Sequence, residues 1–499
     1  MLKKFTPFVA CALTACAFSG AALAGGLTIV THGFNANMTW VNAMADAIAK
    51  RAGTPGVDVT RVNLVVTQSG SNLVVTMSPI AVAPEATFTS GEFVVGLDWT
   101  AIDSFAAASR QPTPEEIQDS VPTQTVAAAV FQYLQTWSYG GKPILAHPIH
   151  LAGHSRGAVL MASLATNLGQ RGIYTDHLTT LDPYNVTLFG DAAPTVASTV
   201  VFADNIWQDS AFPSGKSLPG AFNQHLGLLG TTSNNHSYIH TYYFGTIDTS
   251  ATGDGECSGC INPVWYTQDV DLHSRAQSGF WYSRIAGGDR TGSQAAAGLL
   301  SSLGGTAVIG SGGRQAVTVT QPAWPNAFRV QTNSLSITPN QSNFTEFDYQ
   351  ASGSSAQVRV YAADDRNPSH GGILLGTATL PPASSPTHAM VVWNTVPPAR
   401  SEPYRIHLAI TDLGAGGQTR YAYDANSVTV LAPPCPGDLN GDSVVDDSDF
   451  VLFAVAYDIL DCAAPNMPAN CPADLNGDGF VEDADFVIFA GAYDALFCP

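Results

Sequence analysis

One stretch of nine residues, 150–158, constrains the fold of this chain more than any other. It reads His-Leu-Ala-Gly-His-Ser-Arg-Gly-Ala and contains the pattern Gly-x-Ser-x-Gly at Gly153, Ser155 and Gly157. An apolar run precedes the pattern, and residues 158–165 have the composition of a helix. A serine between a strand and a helix, flanked by glycines because a tight turn excludes Cβ atoms, is typical of a nucleophile elbow. We therefore predict that Ser155 is a nucleophile; the alternative is a chance match in a chain with 46 glycines.

Residues 26–305 alternate strand-like and helix-like segments, which favours one α/β domain. Short apolar or β-branched runs predict strands at 27–30, 57–67, 93–99, 149–152, 177–181 and 200–203. Apolar residues at helical spacing predict helices at 37–51, 121–137 and 158–165. Strands separated by helices indicate a mostly parallel sheet with helices on both faces.

The composition changes after this segment. Residues 294–303 could form a last helix, and residues 306–315 have the composition of a Gly-rich linker. From 316 to 432, Pro and Gly turns separate short strand-like runs, a pattern typical of an all-β, immunoglobulin-like sandwich. The predicted strands are 317–320, 344–349, 357–361, 390–393, 404–410 and 428–431.

The first 24 residues have the layout of a secretory signal peptide. Lys3 and Lys4 precede an apolar core, and small residues mark a cleavage site after Ala24. We therefore predict a secreted or cell-surface protein, with no transmembrane segment in the mature chain. A lipoprotein-type sequence that ends at Cys16 offers lipid anchoring as the lesser alternative.

Charge and cysteine content narrow the class further. The chain has 40 acidic and 20 basic residues, and this excess argues against binding to nucleic acid or to an anionic membrane. Six cysteines remain after signal cleavage, and an even number in an exported protein favours disulfides. Cys257 and Cys260 are predicted to pair; half a zinc site is the alternative, but no second Cys pair or His partner lies close to them in the sequence.

A serine nucleophile requires a general base and an acid that orients the base, and after an elbow these follow in the order Ser, Asp or Glu, His. Asp182 follows a predicted strand and is the candidate acid, the alternative being a turn-forming Asp-Pro pair. Asp98 precedes Ser155 and breaks this order. His236, in a polar segment predicted as a loop, is the candidate base, with His240 in reserve. The His pair could also bind a metal, but no further ligand lies nearby.

Hydrolysis through a serine also requires two donors for an oxyanion. The backbone N–H of Arg156, directly after the nucleophile, is the first candidate. The second is the N–H of Phe34, because Gly33 allows the chain to turn its N–H groups toward the site. We expect His32 to pack against the elbow.

Taken together, these segments resemble the secreted lipases of the pancreatic and lipoprotein lipase type, over roughly residues 27–245. The motifs that carry the resemblance are Val-Thr-His-Gly-Phe at 30–34, Val-Gly-Leu-Asp-Trp at 95–99, the elbow, and Leu-Asp-Pro at 181–183. The resemblance implies an α/β-hydrolase fold and cleavage of carboxylic esters. It also implies that Ser155, Asp182 and His236 are the nucleophile, acid and base.

Two features depart from that family. Arg156 stands where a small or apolar residue is usual, and no cysteine lies between Gly25 and Cys257 to close the family's lid. The resemblance therefore leaves lipase, esterase and other acyl hydrolase activities open.

Segment 435–499 contains a repeat in which each marked residue recurs 36 positions later. Oxygen-bearing side chains stand at loop positions 1, 3, 5 and 12, and a backbone carbonyl at position 7, which is the EF-hand arrangement for Ca²⁺. These residues are Asp438, Asn440, Asp442, Val444 and Asp449 in the first loop, and Asp474, Asn476, Asp478, Phe480 and Asp485 in the second. We predict two calcium sites; acidic turns in a structural tail are the alternative.

Each loop is followed by a single helix and carries Asp at position 12, so the pair resembles the dockerin modules, which bind cohesins. The resemblance implies a cohesin-like protein partner for residues 435–499. Ser443 departs from the glycine expected at position 6 of the first loop. A disulfide within each repeat is a further hypothesis, with the pairs Cys435–Cys462 and Cys471–Cys498.

The sequence thus predicts an exported ester hydrolase with a calcium-dependent docking module. Two other interpretations stay open. One is a non-catalytic surface or scaffold protein that retains a degenerate hydrolase fold. The other is a polysaccharide-associated esterase tethered through its C-terminal module.

Overall fold

A computed structural model describes fifteen ranges of the chain. They are 25–53, 59–79, 92–103, 113–139, 141–231, 233–268, 274–286, 313–337, 342–365, 367–368, 370–414, 416–431, 435–442, 444–469 and 471–496. The predicted signal peptide, Cys16, the helix at 294–303, residues 306–312 of the linker, and Ser443 lie outside these ranges.

The first sheet is mostly parallel, and the predicted mixed α/β class is confirmed. Its order is β10-β9-β8-β7-β1-β4-β2-β3, and only the edge pair β2–β3 is antiparallel; β5 and β6 form a separate hairpin. In chain order the strands are β1 (Gly26–Thr31), β2 (Val59–Ser69), β3 (Asn72–Pro79), β4 (Glu92–Asp98), β5 (Ser138–Tyr139), β6 (Lys142–Pro143), β7 (Ile149–His154), β8 (Thr175–Leu181), β9 (Val200–Trp207) and β10 (Phe222–His225).

Helices cover both faces of this sheet. Residues of α4 and α5 share one apolar core with Leu27 and Ile29 of β1, whereas residues of α1 and α6 pack on the other face around Val30. Burial of each large aliphatic side chain contributes roughly 1.5–3 kcal/mol to this packing. The helices are α1 (Thr39–Ala52), α2 (Thr100–Asp103), α3 (Pro114–Asp119), α4 (Thr123–Thr136), α5 (Arg156–Gln170) and α6 (Asn235–Ile247).

A second, all-β region follows, as predicted, and no helix occurs in its described part between 316 and 431. Its order is β15-β14-β17-β18-β11-β13-β16, mostly antiparallel, with β12 beside β18. The strands are β11 (Asn326–Thr332), β12 (Ser336–Ile337), β13 (Asn343–Ala351), β14 (Ala356–Ala363), β15 (Ile373–Leu380), β16 (Ala383–Trp393), β17 (Tyr404–Asp412) and β18 (Thr419–Val430).

The segment before β11 differs from the prediction. Residues 317–320 do not form a strand; instead, the N–H of Thr320 donates to the carbonyl of Gln170 at the end of α5. Gln315, predicted as linker, forms a bridge with Ala197. Backbone groups of this segment therefore hydrogen-bond to the α/β region, which a free linker would not do.

Buried polar contacts join the all-β region to the amino-terminal edge of the first sheet. Arg420 is buried and donates to the carbonyls of His147 and Tyr174 and to the side chain of Asn326. Asn326 in turn donates to the carbonyl of Gly172 at 2.6 Å. His147, Gly172 and Tyr174 precede β7 and β8, so this contact lies at the opposite end of the strands from Ser155.

The C-terminal segment has two helices, α7 (Asp447–Ile459) and α8 (Asp483–Ala495), around a small core that includes Phe453 and Phe489. The hypothesis that a disulfide closes each repeat is wrong, because Cys462 bonds to Cys471. The chain between them folds back and brings their Cα atoms to 5.4 Å, with the Cys462 N–H on the carbonyl of Gly479. Cys435 is also disulfide-bonded.

None of the helices in the described residues combines the length and apolar character needed to cross a membrane.

Candidate active site

Ser155 lies in a strained turn between β7 and α5. Its φ of 55° and ψ of −123° are unusual for a residue other than glycine. Backbone bonds fix this conformation, since its N–H donates to the carbonyl of Leu181 at 2.8 Å and its carbonyl accepts from Tyr184 at 3.3 Å. The Ser155 hydroxyl does not cap α5. The Ser155 hydroxyl is therefore not engaged in holding the turn or the helix, and it is left available for a reaction.

The glycines beside Ser155 are required by close backbone contacts, as the sequence predicted. A Cβ on Gly157 would overlap the carbonyl oxygen of His32, and one on Gly153 would overlap the backbone of Gly157. The loop after β1 consequently lies directly against the elbow.

Asp182 follows β8 and is completely buried. Its Oδ1 accepts from the N–H groups of Gln208 (3.0 Å) and Gly215 (2.8 Å). Its Oδ2 accepts from Gln208 Nε2 at 2.7 Å and contacts His236 Nδ1 at 2.6 Å. These four bonds fix the position and orientation of the carboxylate. Asp182 is thus built to orient a histidine rather than to begin a simple Asp-Pro turn.

His236 lies in the first turn of α6, and the prediction of a loop at this position is wrong. Residues 239–247 of this helix are buried on every side, so the segment lacks the alternation of polar and apolar faces that marks a surface helix. Because an ionised Asp182 can only accept, His236 Nδ1 carries the proton and Nε2 is a lone-pair site. No hydrogen bond joins Ser155 Oγ to His236, both of which are described residues.

Two further histidines surround His236. His154 Nε2 donates to the carbonyl of His236 at 2.9 Å, and the two ring centroids are 4.5 Å apart. Burial, together with His236 and His240 nearby, holds the pKa of His154 well below its ordinary value, so this ring is neutral. A neutral ring avoids repelling a protonated His236.

His240, the reserve candidate for the base, has a different partner. Its Nδ1 lies 2.9 Å from Asp254, and its ring stacks on Trp40 with centroids 4.2 Å apart. Burial alone would raise the pKa of Asp254, but the hydrogen bond and charge of His240 lower it to about 2. His240 is buried and bound to its own carboxylate, so His236 is the histidine that pairs with Asp182.

The predicted oxyanion donors belong to two segments that adjoin Ser155, the start of α5 and the loop after β1. Arg156 is the first residue of α5, where helix N–H groups have no intrahelical partner. Gly33 lies so close that an added Cβ would be 2.6 Å from Ser155 Cβ and 3.2 Å from its Oγ. The candidate donor, the N–H of Phe34, is therefore on the residue that follows the contact between Gly33 and Ser155. The ring of His32 stacks on Trp99 with centroids 5.5 Å apart and accepts its backbone N–H, whereas the expected contact with the elbow is made by the His32 carbonyl, against Gly157.

Sequence reasoning missed Gln208 and Gly215. Gln208 supplies two of the four hydrogen bonds to Asp182, and its own oxygen accepts the N–H of Ala211. A Cβ on Gly215 would overlap the Asp182 carboxylate, which explains the glycine. Gln208 could have been indicated by its position directly after β9, because Ser155 and Asp182 lie at the same edge of the sheet.

A second cluster lies in the C-terminal segment. Oxygens of Asp438, Asp442 and Asp449 come within 4.8 Å of one another. Asp449 is buried, and among the described residues it has no ion pair with a cationic side chain. Its carboxylate accepts the N–H groups of Leu439, Asn440 and Asp446. Hard oxygen ligands at this spacing fit Ca²⁺. In the second loop Asp485 accepts the equivalent N–H groups of Leu475, Asn476 and Glu482.

The predicted Cys257–Cys260 disulfide is present. Asp254 accepts the N–H groups of Glu256 and Cys257, so the backbone at the start of the disulfide-closed loop helps to hold Asp254 beside His240.

Comparison with known proteins adds little at the sequence level, because no family model and no curated protein matches this chain. Among solved structures, the chain is similar to "the putative cell surface hydrolase from Lactobacillus plantarum WCFS1". The identity is 12%, the TM-score is 0.26, and the match covers 44% of this chain and 90% of that chain. A likeness of this degree leaves the function to be argued from the site itself.

Proposed function

We propose that this chain is a serine hydrolase of the α/β-hydrolase fold that cleaves carboxylic esters. The observation that carries the proposal is the contact between His236 Nδ1 and the buried Asp182 carboxylate, beside a strained Ser155 at the same end of the sheet. A fully buried carboxylate held against a histidine is costly to maintain without a use. The Ser155 hydroxyl nearby is not used to cap α5, and this arrangement favours nucleophilic catalysis.

In the proposed reaction Ser155 Oγ attacks the ester carbonyl carbon while His236 Nε2 takes the hydroxyl proton. The carbonyl π electrons move to oxygen, and the N–H groups of Arg156 and Phe34 stabilise that negative charge. Asp182 keeps His236 in the correct tautomer and stabilises its protonated form. His236 then protonates the leaving alcohol, and water hydrolyses the acyl-enzyme by the same steps in reverse.

The test is hydrolysis of p-nitrophenyl esters from C2 to C16 by the wild type and by Ser155→Ala. We expect kcat to fall by roughly 10⁶-fold in the variant. The chain-length profile then distinguishes an esterase from a lipase, and acetylated glycans test for the polysaccharide-associated esterase. Failure of folded wild type to react with a fluorophosphonate at Ser155 would favour the non-catalytic surface or scaffold protein instead.

We also propose that residues 435–499 form a calcium-dependent docking module of the dockerin type. In the first loop Asp438, Asn440, Asp442, Asp449 and the carbonyl of Val444 would hold the ion. Calcium would neutralise the clustered carboxylates and fix each loop against the helix that follows it.

Exposed apolar side chains on both helices support a protein partner. Val451 is 60% exposed and Val487 70% exposed, and Phe450 and Phe486 are also exposed. Apolar surface of this kind on a small module is typical of a binding face. Binding to a cohesin that is reversed by EGTA, and lost in Val451→Glu/Val487→Glu, would support this docking; binding unaffected by EGTA would contradict it.

A further inference from the structure

The side chain of Arg156 is buried directly behind the elbow, with 1% of its surface exposed. Its guanidinium pairs with Asp103 and with both oxygens of Asp191, at 2.7 and 2.9 Å. It also donates to the carbonyl of Val121 at 2.7 Å. One side chain thus joins the start of α5 to the end of α2 and to two loops.

Burying this network in the protein interior costs free energy, because three ionisable groups lose their contact with water. Asp103 and Asp191 are both buried, so two carboxylates share one guanidinium. Burial, together with the charge of Asp191, raises the pKa of Asp103 well above its ordinary value, and Arg156 is the main group that opposes that rise. Replacing such a group with apolar residues is often neutral or stabilising, so stability alone does not account for it.

The network connects Arg156 to Phe34 by two separate routes. In the first, Asp103, which pairs with the guanidinium, accepts the N–H of Asn35 on its backbone carbonyl at 3.3 Å. In the second, the ring of Phe189 lies 4.9 Å from the Arg156 guanidinium carbon and 5.4 Å from the ring of Phe34. Both routes end on the loop that carries the Phe34 N–H.

The backbone N–H of Arg156 is itself the other proposed oxyanion donor. Its position and that of Phe34 therefore depend on a single ionic cluster. An apolar side chain at position 156 could fill the same space but could not bind the end of α2 and the 186–191 loop together.

We propose that the Arg156 side chain, held by Asp103 and Asp191, is a positioning group that sets the separation of the two oxyanion donors; this rests on the proposed hydrolase function. The network acts through the backbone N–H groups of Arg156 and Phe34. Its loss should weaken binding of the transition state and leave binding of the substrate unchanged.

The test uses the variant Arg156→Met/Asp103→Asn/Asp191→Asn, which removes all three ionisable groups and so leaves no unpaired buried charge. The probe is an alkyl trifluoromethyl ketone, to which Ser155 Oγ adds to give a tetrahedral oxyanion as its proton passes to His236. The matching methyl ketone reports ground-state binding. We expect kcat and trifluoromethyl ketone affinity to fall together by about 10–100-fold, with KM and methyl ketone affinity within about twofold of wild type.

A buried pair at the other end of the sheet provides the control. Arg284 contacts both oxygens of Glu92 at 2.6 Å, and Glu92 is the first residue of β4. The variant Arg284→Met/Glu92→Gln removes a similar pair, so it should lower thermal stability to a similar degree and keep wild-type kcat and ketone affinities. An equal loss of kcat in this control would assign the effect to general destabilisation and overturn the proposal.

Phe189→Leu tests the aromatic route without changing any charge, and it covers the case in which the triple variant does not fold. We expect a smaller loss of kcat, of about 3–10-fold, with KM unchanged. Full kcat and full trifluoromethyl ketone affinity in the folded triple variant would refute the positioning role, provided that the wild type is active. If the triple variant does not fold, the same result in Phe189→Leu would refute it. If the wild type itself neither turned over esters nor bound the trifluoromethyl ketone, the hydrolase proposal would fail instead.

Discussion

The contact between Gly33 and the nucleophile provides the most direct test of the site. Gly33 does not adopt the left-handed region of backbone conformation, so Gly33→Ala introduces no backbone strain. Its new methyl carbon would lie 2.6 Å from Ser155 Cβ, whereas real Cβ contacts are essentially never under 3.0 Å. The loop must therefore move by at least the difference of 0.4 Å, and by about 1 Å to reach an ordinary contact.

That displacement acts on the Phe34 N–H, the next donor along the chain. A misplacement of about 1 Å in a preorganised site costs on the order of 10²-fold in rate. Overpacking of this kind costs about 1–3 kcal/mol in stability. We therefore expect Gly33→Ala to remain folded and to lose about 100-fold in kcat on p-nitrophenyl butyrate, with a smaller change in KM.

Gly169→Ala is the matched control, because its methyl group would collide with Thr199 at the far end of α5. We expect this variant to keep kcat within about twofold. Wild-type kcat in folded Gly33→Ala would refute the assignment of the 32–35 loop to the oxyanion site.

Three further predictions concern other parts of the molecule. Asp182→Asn should lower kcat by about 10⁴-fold, because an amide can hold His236 in the wrong tautomer; Asp98→Asn, as control, should keep activity, and similar losses in both would contradict the assignment. For Asp254, the folded pKa of about 2 lies below its ordinary 3.8. It therefore contributes about 2 kcal/mol of stability above pH 4, and this is lost as the pH falls from about 4 to 2. Urea unfolding of the wild type and Asp254→Asn across this range measures the difference, and a difference that does not change with pH would exclude the ion pair as its source. Calcium should raise the melting temperature of the C-terminal module in the full chain, and Asp449→Ala/Asp485→Ala, which alters both loops, should abolish the rise; an EGTA-insensitive transition in the wild type would refute calcium binding.

The central strands and the elbow could be predicted because each is a short apolar run that ends in a distinctive turn. β1 and β7 are buried along their whole length, so apolar residues occur on both faces of each strand. Ser155 and Asp182 follow directly from such strands. Because the base follows the acid in the order Ser, Asp, His, the candidate base was then sought after Asp182, where His236 lies.

The missed elements have physical explanations. β3 is an edge strand that pairs with β2. Its residues alternate between exposed and half-buried, but the exposed Val74 stands between Leu73 and Val75, so the sequence shows little polar alternation. The helix that bears His236 is buried on every side beyond its first turn, which removes helical periodicity. Gln208 is defined by contacts with Asp182, 26 positions away, and no local pattern could indicate them. The Cys462–Cys471 bond depends on how the two repeats fold against each other.

The contact made by Arg420 and Asn326 has a mechanical consequence. It joins the all-β region to the ends of β7 and β8 that lie farthest from Ser155 and Asp182. A pull on the carboxyl end of the chain, as when its last module is held by a partner, would be transmitted into the rigid base of the sheet. The loops that hold the reactive groups lie at the opposite end and would carry little of that load. Tension on the C-terminal segment would therefore leave the geometry around Ser155 and Asp182 unchanged.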